Sequence, residues 1–372
     1  MTQTADVIVI GAGMAGASAA AEMSRGAKVV VLESEAQPGH HSTGRSAAIF
    51  IQSYGNAAVR QLNRASRPLL EAHPFDPDGA GVLSPRGILT VAGEDETAKL
   101  DELLGDNAGV EEISPGEACE LVPILRREPI ARAAYEADAL DIDVDRLHQL
   151  YLRKIRASGG EVLCNAAVTG LSRDGGTWRV ETRAGVLEAP VVVNAAGAWA
   201  DLIAEMAGVA PLGLTPLRRS AAILPAPPGH SVEYWPLTGN ASETYYFKPE
   251  AGKLMVSPAD ETPVDPHDAW PDDMDLAEGL DRFSQAVTYE VTRVERSWAG
   301  LRTFAPDRAL VIGFDPTAEG FFWQAGQGGY GIQTAPGAAR LAAGLLLEGQ
   351  VPGDLAAGGL DPAPLSPQRF RT

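Results

Sequence analysis

Two short apolar runs, Asp6 to Ile10 and Lys28 to Leu32, bracket an alanine-rich stretch from Met14 to Ser24 that contains no proline. Brief apolar runs bounded by turn residues predict buried strands, and the alanine-rich stretch predicts a closely packed helix between them. Strand, helix and strand in such close succession form a βαβ unit. From Arg60 to Leu140 the pattern turns helical and charged, broken by Pro74, Pro77, Pro85 and Pro115, and predicts an excursion from the sheet. Asp143 to Arg156 reads as an amphipathic helix with acidic residues at its start. Val162 to Val193 alternates as strands do, and its last run, Pro190 to Val193, leads into Asn194-Ala-Ala-Gly-Ala-Trp199.

From Arg219 to Arg302 the pattern predicts an antiparallel unit that includes a hairpin. Its strands lie around Tyr245 to Lys248 and Lys253 to Ser257, joined at Pro249-Glu-Ala-Gly252. The last segment predicts a strand at Phe321 to Gln324, a glycine cluster, and a helix from Ala335 to Leu347. We therefore expect two domains. A dinucleotide-binding domain is assembled from residues 1–80, 142–217 and 303–372, and a substrate domain from 81–141 and 218–302.

Composition narrows the function. The chain has 372 residues, 45% hydrophobic and 21% charged, as expected of a soluble globular protein. A formal charge of −19 would repel nucleic acid and anionic membrane surfaces. Cys119 and Cys164 are far apart and lack metal-ligand spacing, so we expect no metal site, no disulfide framework and a reducing compartment. No secretory signal pattern and no apolar stretch of about 18 residues is present. A cytoplasmic location is expected, with peripheral contact to the inner membrane face left open.

Gly11-Ala-Gly-Met-Ala-Gly16 fits the G-x-G-x-x-G pattern of a loop that approaches a pyrophosphate at a helix N-terminus. With 40 glycines the pattern can recur by chance, and Gly326-Gln-Gly-Gly-Tyr-Gly331 is a second match. Context separates them. Glu33 ends the second strand, where a carboxylate can accept hydrogen bonds from a ribose, whereas the corresponding Glu348 ends a helix. The first match therefore predicts a dinucleotide site using Gly11, Gly13, Met14, Ala15, Gly16 and Glu33. The pattern does not distinguish NAD from FAD. The polar segment His40-His-Ser-Thr-Gly-Arg-Ser46 favours FAD, because its hydroxyls, amides and guanidinium suit a pyrophosphate and a flavin edge.

Several segments together carry a family resemblance: the fingerprint, His41-Ser-Thr-Gly-Arg-Ser-Ala-Ala48, Asn194 to Trp199, Trp298-Ala-Gly-Leu-Arg302 and Gln327 to Thr334. The chain resembles the D-amino acid oxidase-like flavoproteins, and within them looks most like bacterial D-arginine dehydrogenase. The resemblance implies an α/β fold, α+β overall, with a Rossmann-type FAD-binding domain and a second, mainly antiparallel substrate domain. It implies non-covalent FAD and hydride transfer from a substrate Cα to flavin N5, followed by hydrolysis of the imino acid. By position, Ser42, Thr43, Gly44, Arg45, Ser46, Ala47 and Ala48 would hold the pyrophosphate and flavin, and Val168 would reach the adenine. Ala196, Gly197 and Trp199 would also line the cofactor. The turn of Gly328, Gly329, Tyr330, Gly331, Ile332, Gln333 and Thr334 would present backbone amides to the pyrimidine end, where reduced flavin is negatively charged.

The resemblance further implies a substrate carboxylate held by Arg219 and Arg302, since a guanidinium can bind a carboxylate with two parallel hydrogen bonds. Strand alternation would turn Arg219 inward and its neighbour Arg218 to solvent. Tyr246 and a mobile Tyr54 would contact the substrate, and the carbonyl of Gly329 would accept a hydrogen bond from its amine. Ser84-Pro-Arg-Gly-Ile88 lacks the glutamate that D-arginine dehydrogenase uses for its substrate's guanidinium, and Ile49 and Ile51 replace polar residues. A pocket of Ile49, Ile51 and Ile88 would leave a cationic side chain unpaired, so the expected substrate is a D-amino acid with an apolar or neutral side chain. No motif identifies the electron acceptor, whether quinone, another redox carrier or oxygen. Two alternatives stay open: an oxidase of glycine, sarcosine or a cyclic amine that releases hydrogen peroxide, and a flavin-binding protein without turnover.

Overall fold

The first two apolar runs pair in parallel, Val7 with Val29 through Ile10 with Leu32, and all eight residues are buried. They form the centre of a six-stranded sheet in a computed structural model that describes residues 2–106 and 109–371. Its strand order is Glu161–Leu163, Val29–Leu32, Val7–Ile10, Val191–Asn194, Phe321–Ala325 and Val311–Phe314, with an antiparallel last pair. Helices Met14–Met23, Val144–Ala157 and Ala335–Leu347 pack together on one face. The first is nearly all small residues, which permits this closeness. Asp143 caps the second by accepting from the Arg146 N–H at 2.9 Å. A four-stranded sheet containing Val168–Asp174 lies on the route from Glu161–Leu163 to Val191–Asn194.

A nine-stranded, mostly antiparallel sheet forms the second layer system. Its hairpin matches the sequence expectation, Tyr246–Glu250 with Lys253–Ser257, turning through Ala251 and Gly252, both at positive φ. The region 81–141 departs from that expectation. Its pattern predicts helix, yet it contributes Ile88–Ala92, Glu111–Ile113 and Arg132–Glu136 to this sheet, while Leu83–Pro85 and Leu140–Ile142 join Ile49–Phe50 in a separate three-stranded sheet. Ile88–Ala92 takes its place by pairing in parallel with Leu237–Asn240, a partner too distant for local periodicity to reveal. Alternation gives the sheet two faces. Leu89, Val91, Phe247, Leu254 and Val256 face a core with Phe283 of helix Asp273–Ala286. Tyr246, Met255, Arg219 and Arg302 face the other way, toward a cavity beside the six-stranded sheet. Among the described residues no helix is long and apolar enough to cross a membrane.

His73 is 3% exposed beside Phe75 and Tyr151, and its Nδ1 accepts from the Phe75 N–H at 3.2 Å. Burial pushes its pKa down to about 4, with Asp76 opposing weakly. Between an unfolded value near 6.5 and that folded value the unfolded chain binds more protons, so stability falls as pH falls through this window. The loss reaches up to about 3 kcal/mol. Melting temperature measured from pH 8 to 4 is therefore expected to show an acid-side decline that is shallower in His73→Asn.

Candidate functional site

The strands Val7–Ile10 and Val191–Asn194 end side by side, and the chain leaves them through Gly11 and Ala195. Gly11 has φ +102°, and a Cβ there would strike the Ala195 carbonyl, while one at Gly16 would strike the Gly11 carbonyl. Glycine is what lets this loop close so tightly. A cavity of about 580 Å³ opens above it. Gly11, Gly13, Met14, Ala15 and Glu33 line one end, with Val168, Ala196, Gly197 and Trp199. Gly16 serves packing and does not line it. The Glu33 carboxylate is set at its strand end by the N–H groups of Ala12 and Glu35, both at 3.0 Å.

The segment 42–48 also borders the cavity, through Ser42, Thr43, Arg45, Ser46 and Ala47. Several of its side chains also bond within the protein. The Ser42 hydroxyl donates to the Leu301 carbonyl at 2.7 Å, and Thr43 Oγ1 accepts from the Met14 N–H at 2.9 Å. Arg45 donates to the carbonyls of Ala269 and Ala299 and pairs with Asp268. The Trp298 indole donates to the Arg45 carbonyl. The segment thus ties the loop after strand Val29–Leu32 to strand Arg296–Phe304 and to the loop at residues 268–269. Gly44 and Ala48 do not reach the cavity wall.

At the other end, Gly328, Gly329, Gly331 and Ile332 line the cavity. Among the described residues the N–H groups of Gly331 and Ile332 have no acceptor, so amides remain to receive a polar ring edge, as a flavin would require. Tyr330, Gln333 and Thr334 lie behind this turn and support it. Gln333 Nε2 donates to Asn63 Oδ1 at 2.9 Å, and its Oε1 accepts from the Ile51 N–H at 3.1 Å.

Arg219 and Arg302 come from neighbouring strands, Thr215–Leu224 and Arg296–Phe304, with Arg219 opposite Gly300 and Arg302 opposite Leu217. They are therefore diagonal neighbours on one face, and both line the cavity with Tyr246. Gly329 passes so close that a Cβ would stand 3.0 Å from Arg302 Nη1. Tyr54 lies beside the Arg302 guanidinium, its ring 5.2 Å from that of Tyr330. Burial raises the Tyr246 pKa, but Arg302 and Arg219 outweigh this and leave its phenol below the usual tyrosine value. Arg302 makes no ion pair among the described residues.

Three sequence expectations meet a different arrangement here. Arg218 does turn away from the cavity, but not to solvent: it pairs with Asp275 at 2.7 Å on the flanking helix. Ile49, Ile51 and Ile88 do not form the cavity wall, and Ile88 faces Glu136 across its strand pair. Arg219 is not free, since it is paired at 3.0 Å with Glu261, which also binds Arg308 at 3.1 Å. Sequence reasoning missed Glu261 and Arg308, and no local pattern marks either.

This geometry agrees with the chain's likenesses to known proteins. A model of the family described as FAD dependent oxidoreductase matches residues 6–345. The chain is similar to FAD-dependent oxidoreductase domain-containing protein 1 of Bos taurus, 27% identical, with 93% of this chain and 82% of that protein covered. It is also similar to glycine oxidase of Geobacillus kaustophilus, 24% identical with 96% of each covered. The structure resembles L-proline dehydrogenase from P. horikoshii, with a TM-score of 0.83 at 22% identity over 100% of this chain and 98% of that one. The likeness is thus broader than D-arginine dehydrogenase alone. The fingerprint loop, the cavity between the six-stranded and nine-stranded sheets and these matches lead to one conclusion: the chain uses FAD and belongs to the FAD dependent oxidoreductase family.

Proposed function

We propose that the protein oxidises the amine-bearing carbon of a D-amino acid with an apolar or neutral side chain, giving an imino acid that water converts to a 2-oxo acid and ammonia. FAD, when bound, supplies the hydride acceptor. The observation that carries this reading is Arg302, a cation without an ion pair among the described residues that lines the cavity beside Tyr246 and Gly329. Desolvation works against this half-buried guanidinium, Tyr246, Tyr54 and Glu261 outweigh it and keep it charged, and a substrate carboxylate would add a direct ion pair that fixes the substrate's orientation. Tyr54 and Tyr246 would bound the substrate on either side, and the Gly329 carbonyl would accept from its amine. Arg219 supports the site through Tyr246.

A second reading, an oxidase of glycine, sarcosine or a small cyclic amine, is supported by a specific observation: the cavity does not extend to Ile49, Ile51 or Ile88, where a larger side chain would go. The name of the glycine oxidase relative is consistent with it. Anaerobic mixing of the purified yellow protein with D- and L-amino acids and N-methyl amines separates the readings through loss of visible flavin absorbance. Bleaching by D-Leu, D-Met or D-Phe, ahead of D-Arg and D-Lys, is the expected result. Bleaching by glycine or sarcosine alone, with peroxide released in air, would establish the second reading, and bleaching by L-amino acids alone would overturn the D preference.

A further inference from the structure

Two guanidinium groups face one cavity, yet their circumstances differ. Arg219 donates through Nε to the Asp260 carbonyl at 2.8 Å and through Nη2 to Glu261 at 3.0 Å. The Nε–Nη2 edge of its fork is thereby taken up by the protein, and its charge is countered by Glu261 before any ligand carboxylate arrives. Glu261 is not a loosely placed partner. The preceding residue, Asp260, accepts from the Ser220 N–H at 2.6 Å and its hydroxyl at 2.8 Å, tying the loop to the strand that carries Arg219. Glu261 is also held from the other side by Arg308 at 3.1 and 3.2 Å. A tethered carboxylate competes with a free one at high effective concentration. Arg302 has no such occupant among the described residues.

Resting on the reading that Arg302 anchors a substrate carboxylate, we propose that Glu261 is an internal carboxylate that withholds Arg219 from ligands, so that the cavity accepts amines bearing one carboxylate and rejects those bearing two. Glu261 acts through Arg219 and is a positioning residue. The diagonal placement of Arg219 and Arg302 on adjacent strands, roughly 7–8 Å apart at the backbone, is a span that a short dicarboxylate could bridge if Arg219 were released.

The test is titration of the FAD-loaded protein with butyrate and with succinate, followed by perturbation of the flavin absorbance. Wild type is expected to bind butyrate at least tenfold more tightly than succinate. In Glu261→Gln, succinate is expected to gain tenfold or more while butyrate changes less than threefold, and the gain is expected to vanish in the double variant Glu261→Gln with Arg219→Gln. A role limited to holding the loop would move both ligands together, and that result would overturn the proposal, as would equal binding of both ligands by wild type. If butyrate leaves the spectrum unperturbed in every variant, the anchoring role of Arg302 falls along with the proposal. A selectivity pattern that fails while butyrate still binds removes the proposal alone.

Discussion

Arg302→Met is expected to lower kcat/KM for flavin reduction by an amino acid about 10³-fold while leaving FAD bound. Arg302 lines the cavity and has no ion pair among the described residues, so the substrate carboxylate would be its first direct ion-pair partner. Removing one partner of a buried charge pair costs roughly 3–5 kcal/mol, and each 1.36 kcal/mol is about tenfold in rate. Stability sets a second expectation. In the free protein desolvation opposes the guanidinium's charge, but Tyr246, Tyr54 and Glu261 outweigh it and hold its pKa above the usual arginine value, so the melting temperature is expected to hold or fall slightly in the methionine variant. Stopped-flow reduction and thermal melts on one preparation check both. A loss of less than tenfold would show that the carboxylate is held elsewhere.

Gly16→Ala is expected to yield protein that purifies with little flavin and melts at lower temperature. The added methyl has nowhere to go: it would strike the Gly11 carbonyl and stand 3.3 Å from the Ala195 side chain. Gly11 cannot retreat, because its own φ of +102° and its contact with the Ala195 carbonyl hold it against the neighbouring strand end. Overpacking of this kind costs roughly 1–3 kcal/mol, and here it displaces the loop that approaches the pyrophosphate. The ratio of visible to ultraviolet absorbance after purification measures the loss. Gly105→Ala is the control. It lies in helix Thr97–Asp106 with nothing within 4 Å of an added Cβ, and is expected to be neutral or stabilising by roughly 0.5–1 kcal/mol. If Gly16→Ala retains full flavin, the loop is more compliant than its packing indicates.

Parts of the site were legible because the physics behind them is local. The tight glycine loop, the carboxylate of Glu33 at a strand end and the hairpin through Ala251 and Gly252 depend on residues a few positions apart. Strand alternation likewise separates Arg218 from Arg219. The side chains of His41-Ser-Thr-Gly-Arg-Ser46 were harder to place. Their donors suit a pyrophosphate equally well on paper, but Ser42 and Arg45 also reach carbonyls of Leu301, Ala269 and Ala299, more than 200 residues further along the chain. A polar group takes the nearest acceptor in space, and distance along the chain does not rank those acceptors.

The sequence by itself determined the βαβ unit, the glycine loop after its first strand, the acidic start of helix Val144–Ala157 and the hairpin that turns before Lys253, since each follows from backbone sterics and from burial repeating every two or 3.6 residues. The tertiary structure decided which side chains share the cavity. It brought strand Ile88–Ala92 against Leu237–Asn240, kept Ile49, Ile51 and Ile88 out of the cavity wall, and paired Arg219 with Glu261 while leaving Arg302 without an ion pair among the described residues. Long-range pairing and charge neutralisation depend on distances through space, and packing sets those distances.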